Sequence, residues 1–303
     1  LIVLLGAAEF ILMHYVSGGI LAAIIDSKEV LEKTNTFLHY RSYGILFGLL
    51  NSCFMSFFIG IGNTRVTVWT TGVMVTMNIL FLYCLVFGNW GFPAMGIGGA
   101  GLASAIAEAT VTLVFILFFI VKKFRKDYHL FQFAKVKFNL IISMLNLSTP
   151  LIFQQIISVG SWWLFFISIE HLGEHSLAIS NLVRSIYTFY GIPVWALAST
   201  VNAMTSNLIG QGRHADVIPL IRRVANISIG FAALFSFFIN FFPALMLSVY
   251  TNDQVLILDS IPTLRTLTLA IVLFSIAILT IFAVSGTGAT KVSLLIEVIA
   301  IVM

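Results

Sequence analysis

Gly60-Ile61-Gly62-Asn63-Thr64-Arg65 leads into an apolar run that ends near Phe87. Gly88-Asn89-Trp90-Gly91-Phe92-Pro93-Ala94-Met95-Gly96-Ile97-Gly98-Gly99-Ala100-Gly101 follows it. The first piece is a short polar turn ending in one cation. The run after it approaches the ~20 apolar residues that a helix needs to cross a bilayer. The Gly/Pro turn holds no Lys or Arg and opens directly into a second apolar run. Cations gather at the cytoplasmic ends of membrane spans, so Arg65 marks an inner end and the Gly/Pro turn an outer one.

The whole chain has the composition this stretch suggests. It is 59% hydrophobic and 9% charged, with a mean hydropathy of +1.04. Soluble domains carry about 25% charged residues. Long continuous apolar runs point to an all-α integral membrane protein and exclude a barrel of short alternating strands. The net charge is +4, and the basic residues form no patch interleaved with stacking aromatics, which excludes nucleic acid as a partner. Cys53 and Cys84 lie inside apolar runs and read as small packing residues. Residues 1–25 hold Glu9 and His14 and lack a preceding basic segment, so they read as a membrane span of a longer chain and not as a signal peptide.

Apolar runs fall near 1–25, 38–61, 67–87, 97–121, 142–169, 176–208, 224–249 and 267–286, with a stub from Val292 to Met303. If connections alternate sides, one side receives Arg65, the six cations between Lys122 and Lys137, Arg213, Arg222, Arg223 and Lys291. The other receives Lys28, Lys33, Arg41 and Arg265, while Arg184 lies within a span. The first set is therefore cytoplasmic. An internal repeat is also present. Asp26-Ser27-Lys28-Glu29-Val30 before Gly60-x-Gly62-x-Thr64-Arg65 matches Thr251-Asn252-Asp253-Gln254-Val255 before Gly286-x-Gly288-x-Thr290-Lys291, at offsets of 225 and 226. Both copies run from an outer loop to an inner turn, so the repeats are parallel.

Gly-x-Gly-x-Thr-Arg, a span with an early Asn (Asn78), and Phe-Gly-x-x-Gly-Phe-Pro-x-x-Gly-x-x-Gly-Ala together resemble the multidrug and toxic compound extrusion (MATE) transporters. Ser148-Thr149-Pro150, Leu172-Gly173, Ile192-Pro193 and Gly210-Gln211-Gly212-Arg213 extend the resemblance into the second half. It implies two six-helix bundles, twelve spans in all. Residues 1–121 would be spans three to six, 122–141 a basic cytoplasmic connector, and 142–303 spans seven to ten and the start of eleven.

Two motifs point elsewhere. Gly96-Ile97-Gly98-Gly99-Ala100-Gly101 fits a dinucleotide fingerprint, but no strand precedes it. Its glycines read better as a tight turn and a close helix contact. His171-Leu172-Gly173-Glu174-His175 fits an inverted zinc-protease motif, yet Gly173 and a hairpin position work against the single helix that motif needs.

Ionisable groups at membrane depth are costly, so each is a functional candidate. They are Glu9, His14, Glu108, Arg184 and Glu297, with Glu170 nearer the outer mouth. Glu108 and Ser104 are four residues apart on one helix face, and Asn78 is on the preceding span. These three are the candidate cation-coupling site, because oxygen-rich clusters suit hard cations and a desolvated carboxyl suits a proton. A packing role for Glu108 remains the alternative. The resemblance supports Asn78 and Ser104, since many members bind the coupling ion through an early Asn on the fifth span and a hydroxyl on the sixth. It also places an acid on a first span ahead of Leu1, and puts Leu82 and Ser158 where some members carry polar or acidic groups. Gln154, Gln155, Arg184 and Tyr187, with Trp162 and Trp163, are candidates to line a substrate cavity. Arg184 has the alternative of pairing with a membrane carboxylate.

The resemblance implies a secondary transporter of the cell membrane that exports organic, cationic amphipathic compounds against Na⁺ or H⁺ by alternating access, without a further cofactor and not an enzyme. Its expected partners are a small-molecule substrate and the bilayer, and a monomer is expected. The alternative is a lipid-linked oligosaccharide or lipid flippase of the same superfamily. A pyrophosphate cavity should hold several cations, whereas Arg184 alone lies deep in a span.

Overall fold

The computed structural model describes residues 2–23, 25, 27–121 and 138–302, and every regular element among them is helical. Asp26 and most of the expected basic connector lie outside the described residues. The chain divides into two compact units, Leu1–Ala134 and Lys135–Met303.

In the first unit, α1 (Ile2–Ile11) continues through a π-helical segment, Leu12–Val16, into α2 (Ser17–Ala22). The Ser27 hydroxyl then accepts from the Val30 N–H and starts α3 (Lys28–Ser42). This helix begins ten residues before the apolar run expected at 38–61, and Lys33 pairs with Glu29 on its exposed face. It breaks at Tyr43-Gly44, and α4 (Ile45–Gly60) leaves at 54° to it. α5 (Thr64–Phe87) and α6 (Ile97–Val121) follow. Glycines let these helices meet backbone to backbone. A Cβ on Gly99 would lie 2.5 Å from the Leu85 oxygen of α5, and one on Gly101 would lie 2.6 Å from the Phe37 oxygen of α3. The apparent dinucleotide fingerprint is therefore a helix-crossing surface. Phe58, Val66, Val111, Phe115 and Phe119 fill the core at the other end of these helices. Cys84 is fully buried as the packing reading expects, but Cys53 faces outward on α4.

The second unit contains α7 (Phe138–Glu170), α8 (Glu174–Gly210), α9 (Val217–Phe241), α10 (Pro243–Ser248), α11 (Gln254–Gly286) and α12 (Thr290–Val302). α8 and α11 cross tightly. Gly286 has no room for a Cβ beside the Asn202 oxygen, the Asn202 amide donates to the Phe282 carbonyl at 3.1 Å, and the buried Tyr190 hydroxyl donates to the Ile271 carbonyl at 3.1 Å. Leu182, Ile186, Val194, Ile239, Leu247 and Leu264 surround Tyr190 in the core. Asp253 accepts from the Val255 and Leu256 N–H groups and starts α11, so the span read at 267–286 begins thirteen residues earlier.

The repeat seen in sequence has a local structural basis. Ser27 and Asp253 cap the helices that open the two copies, α3 and α11, and Gly62 and Gly288 follow the helices that close them, α4 and α11, in the left-handed region, at φ of +73° and +86°. A third copy sits at Gly212, φ +73°. There Arg213 N–H bonds the Leu208 carbonyl and Gly212 N–H the Ile209 carbonyl, the same bonds that Asn63 and Gly62 make to Phe58 and Ile59. This is the six-residue C-terminal closure that favours glycine.

Six helical stretches among the described residues are long and apolar enough to cross a membrane, or seven when the bent α3–α4 pair counts as one span. α8, the eighth span expected from sequence, is long enough at 37 residues but more polar along its length.

Candidate functional site

In the first unit the three residues grouped as a cation site have different partners. Asn78 Nδ2 of α5 donates to Ser104 Oγ of α6 at 3.1 Å, and Ser104 in turn donates to the Ala100 carbonyl. Glu108 has a different partner. Its Oε2 and Oε1 accept from Arg41 Nη1 and Nη2 at 2.9 and 2.7 Å, a bidentate pair with side chains only 16% and 26% exposed. Its carboxylate is thus held by a guanidinium, a partner that the sequence reading did not give it. Charge counting put Arg41 in an outer loop, whereas the unexpected length of α3 carries it to the face of α6. Gly44 makes the space, since a Cβ there would lie 2.5 Å from Arg41 Nη1 and 2.6 Å from Glu108 Oε2. The surrounding bonds anchor the same spot. Asn51 donates to the Glu108 carbonyl at 2.9 Å, and Thr112 donates to Asn51 Oδ1 at 2.8 Å.

Of the other candidates in this unit, Glu9 is exposed on α1. His14 sits in the π-helical segment, 2.7 Å from Ser42 Oγ and with its ring 4.2 Å from that of His39.

The second unit carries an open groove between α7, α8, α11 and α12. One part, about 670 Å³, is lined by Gln154, Gln155, Ser158, Asn202, Ser293 and Glu297. A neighbouring part, about 610 Å³, is lined by Trp163, Phe166, Glu170, Asn181, Arg184 and Tyr187. Trp162 and Trp195 border both. Of the four residues read from sequence as cavity-lining, Gln154 and Gln155 line the first part, and Arg184 and Tyr187 the second. Pro150 and Pro193 lie inside the two helices that form its wall.

The groove has two chemically distinct ends. At one, Gln154 Nε2 donates to Glu297 Oε2 at 2.8 Å, and Ser293 Oγ donates to Gln154 Oε1 at 3.2 Å. This hydrogen-bonded triad orients the carboxyl, and no Lys or Arg lines that end among the described residues. Glu297 was one of several deep acids in the sequence, and its Gln partner is a cavity candidate from a helix far away in the chain. At the other end, the Arg184 guanidinium lies over the Phe166 ring, 4.5 Å from its centre. Trp162 stacks against Phe166 and also packs against Tyr187. The pairing of Arg184 with a membrane carboxylate is not formed among the described residues. The apparent zinc motif is split as its glycine suggests: Gly173 turns at φ +105°, His171 bonds the Ile167 carbonyl, and His175 pairs with Asp259 at 2.9 Å.

A model of the MatE family matches residues 1–84 and 150–303. The probable multidrug resistance protein NorM of Photorhabdus laumondii is 24% identical over 84% of this chain and 56% of its own length. The NorM protein of Listeria innocua is 30% identical over 74% of this chain and 50% of its own. A solved structure described as the outward-facing conformation of a multidrug resistance MATE family transporter of the MOP superfamily matches with a TM-score of 0.86. It shares 18% identity and covers 97% of this chain and 65% of that one, a likeness of fold. The chain spans about half the length of the curated relatives it matches. With the family model covering well over half of its residues, the chain belongs to the MatE family of multi-pass cell-membrane proteins.

Proposed function

We propose that the full-length protein exports amphipathic organic compounds in exchange for an inward-moving Na⁺ or H⁺. The observation that carries this reading is the groove of the second unit, in which an aromatic wall leads to a carboxyl, Glu297, held only by neutral hydrogen bonds. Aromatic faces accept flat apolar and cationic ligands without demanding one shape. A carboxyl without a fixed countercharge is free to exchange a proton or hold a cation. Glu108 does not offer this, because Arg41 already satisfies both of its oxygens. Asn78 and Ser104 keep the role the resemblance gives them, as neutral groups beside a cation, without Glu108.

Coupling then follows from differential binding. A cation on Glu297 and a ligand on the aromatic wall favour different members of an alternating-access equilibrium, and each shifts it only by its difference in affinity. The relatives, named as probable multidrug resistance proteins, agree with this reading. A flippase for pyrophosphate-linked lipid fits less well, since Arg184 is the one Lys or Arg among the described residues that line the groove.

The test is accumulation of a fluorescent amphipathic cation in cells with and without the full-length protein. Lower accumulation that is restored by collapsing the ion gradients is expected. Equal accumulation in both cells contradicts the proposal.

A further inference from the structure

From the geometry around His14 we infer that the first unit holds a proton-operated latch: His14 takes up one proton at Nε2 and, through Ser42, fixes the break between α3 and α4. The inference does not rest on the groove of the second unit or on the ion proposed to bind there.

The bonds at Ser42 determine where His14 carries its hydrogen. Ser42 is 1% exposed. Its hydroxyl has one hydrogen and donates it to the His39 carbonyl at 2.6 Å. The same oxygen lies 2.7 Å from His14 Nδ1. With its hydrogen committed, Ser42 Oγ is left to accept, so the N–H of that contact belongs to Nδ1. A neutral imidazole has one N–H, and Nε2 therefore keeps its lone pair. A proton arriving from water adds at Nε2 and leaves the Nδ1–H bond in place, now donated by a cation. His14 also lies in Leu12–Val16, the one π-helical segment among the described residues, and such segments recur at functional positions.

The rings around His14 suit a single charge. Phe10 stacks on it at 4.9 Å, and Tyr15 and Tyr43 meet it edge-on at 4.7 and 5.5 Å. The face of Phe10 attracts an imidazolium. His39 is the other basic neighbour, its ring centre 4.2 Å away and its Nε2 3.4 Å from the Tyr43 hydroxyl. A second proton on His39 would set two like charges against each other, so the pair is built to hold one. Among the described residues the remaining charges are engaged or distant. The segment α2 brings no titratable residue, Glu9 of α1 is exposed, and Arg41 is bound to Glu108. Lys28, Glu29, Glu32 and Lys33 lie on α3 about 9 Å or more along the helix from His39.

Ser42 ends α3, Tyr43-Gly44 follow, and α4 leaves at 54°. A hydrogen bond from a charged donor is roughly twice as strong as a neutral one. Protonated His14 therefore ties the π-helical segment to the break, and neutral His14 loosens it. The latch closes towards about pH 5 and opens towards about pH 8, the interval in which histidine serves as a switch.

The experiment is hydrogen–deuterium exchange of the purified full-length protein in detergent, with each amide rate corrected for its intrinsic dependence on pH. Peptides across the break, residues 41–47, should be about fivefold better protected at about pH 5 than at about pH 8, while peptides of α5 keep the same protection. This comparison needs no variant. His14→Gln and Ser42→Ala should each abolish the difference, and His39→Gln should keep it. Equal protection of the break at both pH values overturns the inference. So does a difference that appears equally in α5, one that survives in His14→Gln or Ser42→Ala, or one that is lost in His39→Gln.

Discussion

Arg41 and Glu108 illustrate how one ion pair can decide a local structure in an apolar protein. Taking both charges to membrane depth is costly, and the bidentate geometry together with the Asn51 and Thr112 bonds offsets that cost. Removing one partner leaves the other charged, confined and unpaired. Arg41→Ala is therefore expected to destabilise the protein by about 3 kcal/mol, the low end of the range for broken buried pairs because this one retains some exposure. Arg41→Met combined with Glu108→Leu should cost clearly less than the two single changes added together, as expected for contacting residues. Denaturation of the purified protein in detergent measures both, and strict additivity would show that the pair is not coupled. Glu108 was legible in the sequence as a costly intramembrane acid. Its partner was not, because the charge count assigns Lys28, Lys33 and Arg41 to an outer connection. The signals that this stretch is helical were the Ser27 cap and the Glu29–Lys33 spacing, both of which are independent of hydropathy.

The helix ends follow a rule that the sequence announced. Gly62, Gly212 and Gly288 each close a helix in the left-handed region, and no atom would obstruct a Cβ at Gly62 or Gly212. The glycine is required there for its backbone alone. Gly212→Ala should cost about 1 kcal/mol, and Gly212→Asn less, since Asn tolerates this conformation better. Unfolding in detergent checks the order of the three proteins; an alanine variant as stable as glycine would contradict it. These turns were readable because Gly-x-Gly at a helix end has a local cause. The bend at Tyr43-Gly44 was not, since it depends on Arg41 and Glu108 from separate helices meeting where Gly44 leaves space. Hydropathy also hides the first turns of α11, where Asp259 and Arg265 sit in a helix that Asp253 had already started.

At the scale of the molecule, the all-helical membrane architecture came from composition and run length, and the family came from motifs spread across the chain. The groove was legible as a set of polar and aromatic residues. Its organisation was not, because Gln154 and Glu297 are far apart in the chain and only packing of α7 against α12 joins them. The central claim is that this carboxyl couples ligand movement to a cation gradient. The most direct measurement is gradient-driven efflux of an amphipathic dye from vesicles containing full-length protein, compared with Glu297→Gln and Glu108→Gln. The account predicts that Glu297→Gln binds dye but loses the response to an imposed Na⁺ or H⁺ gradient, while Glu108→Gln, if inserted and folded, keeps it. A full gradient response in Glu297→Gln, or its loss in Glu108→Gln alone, would contradict the account.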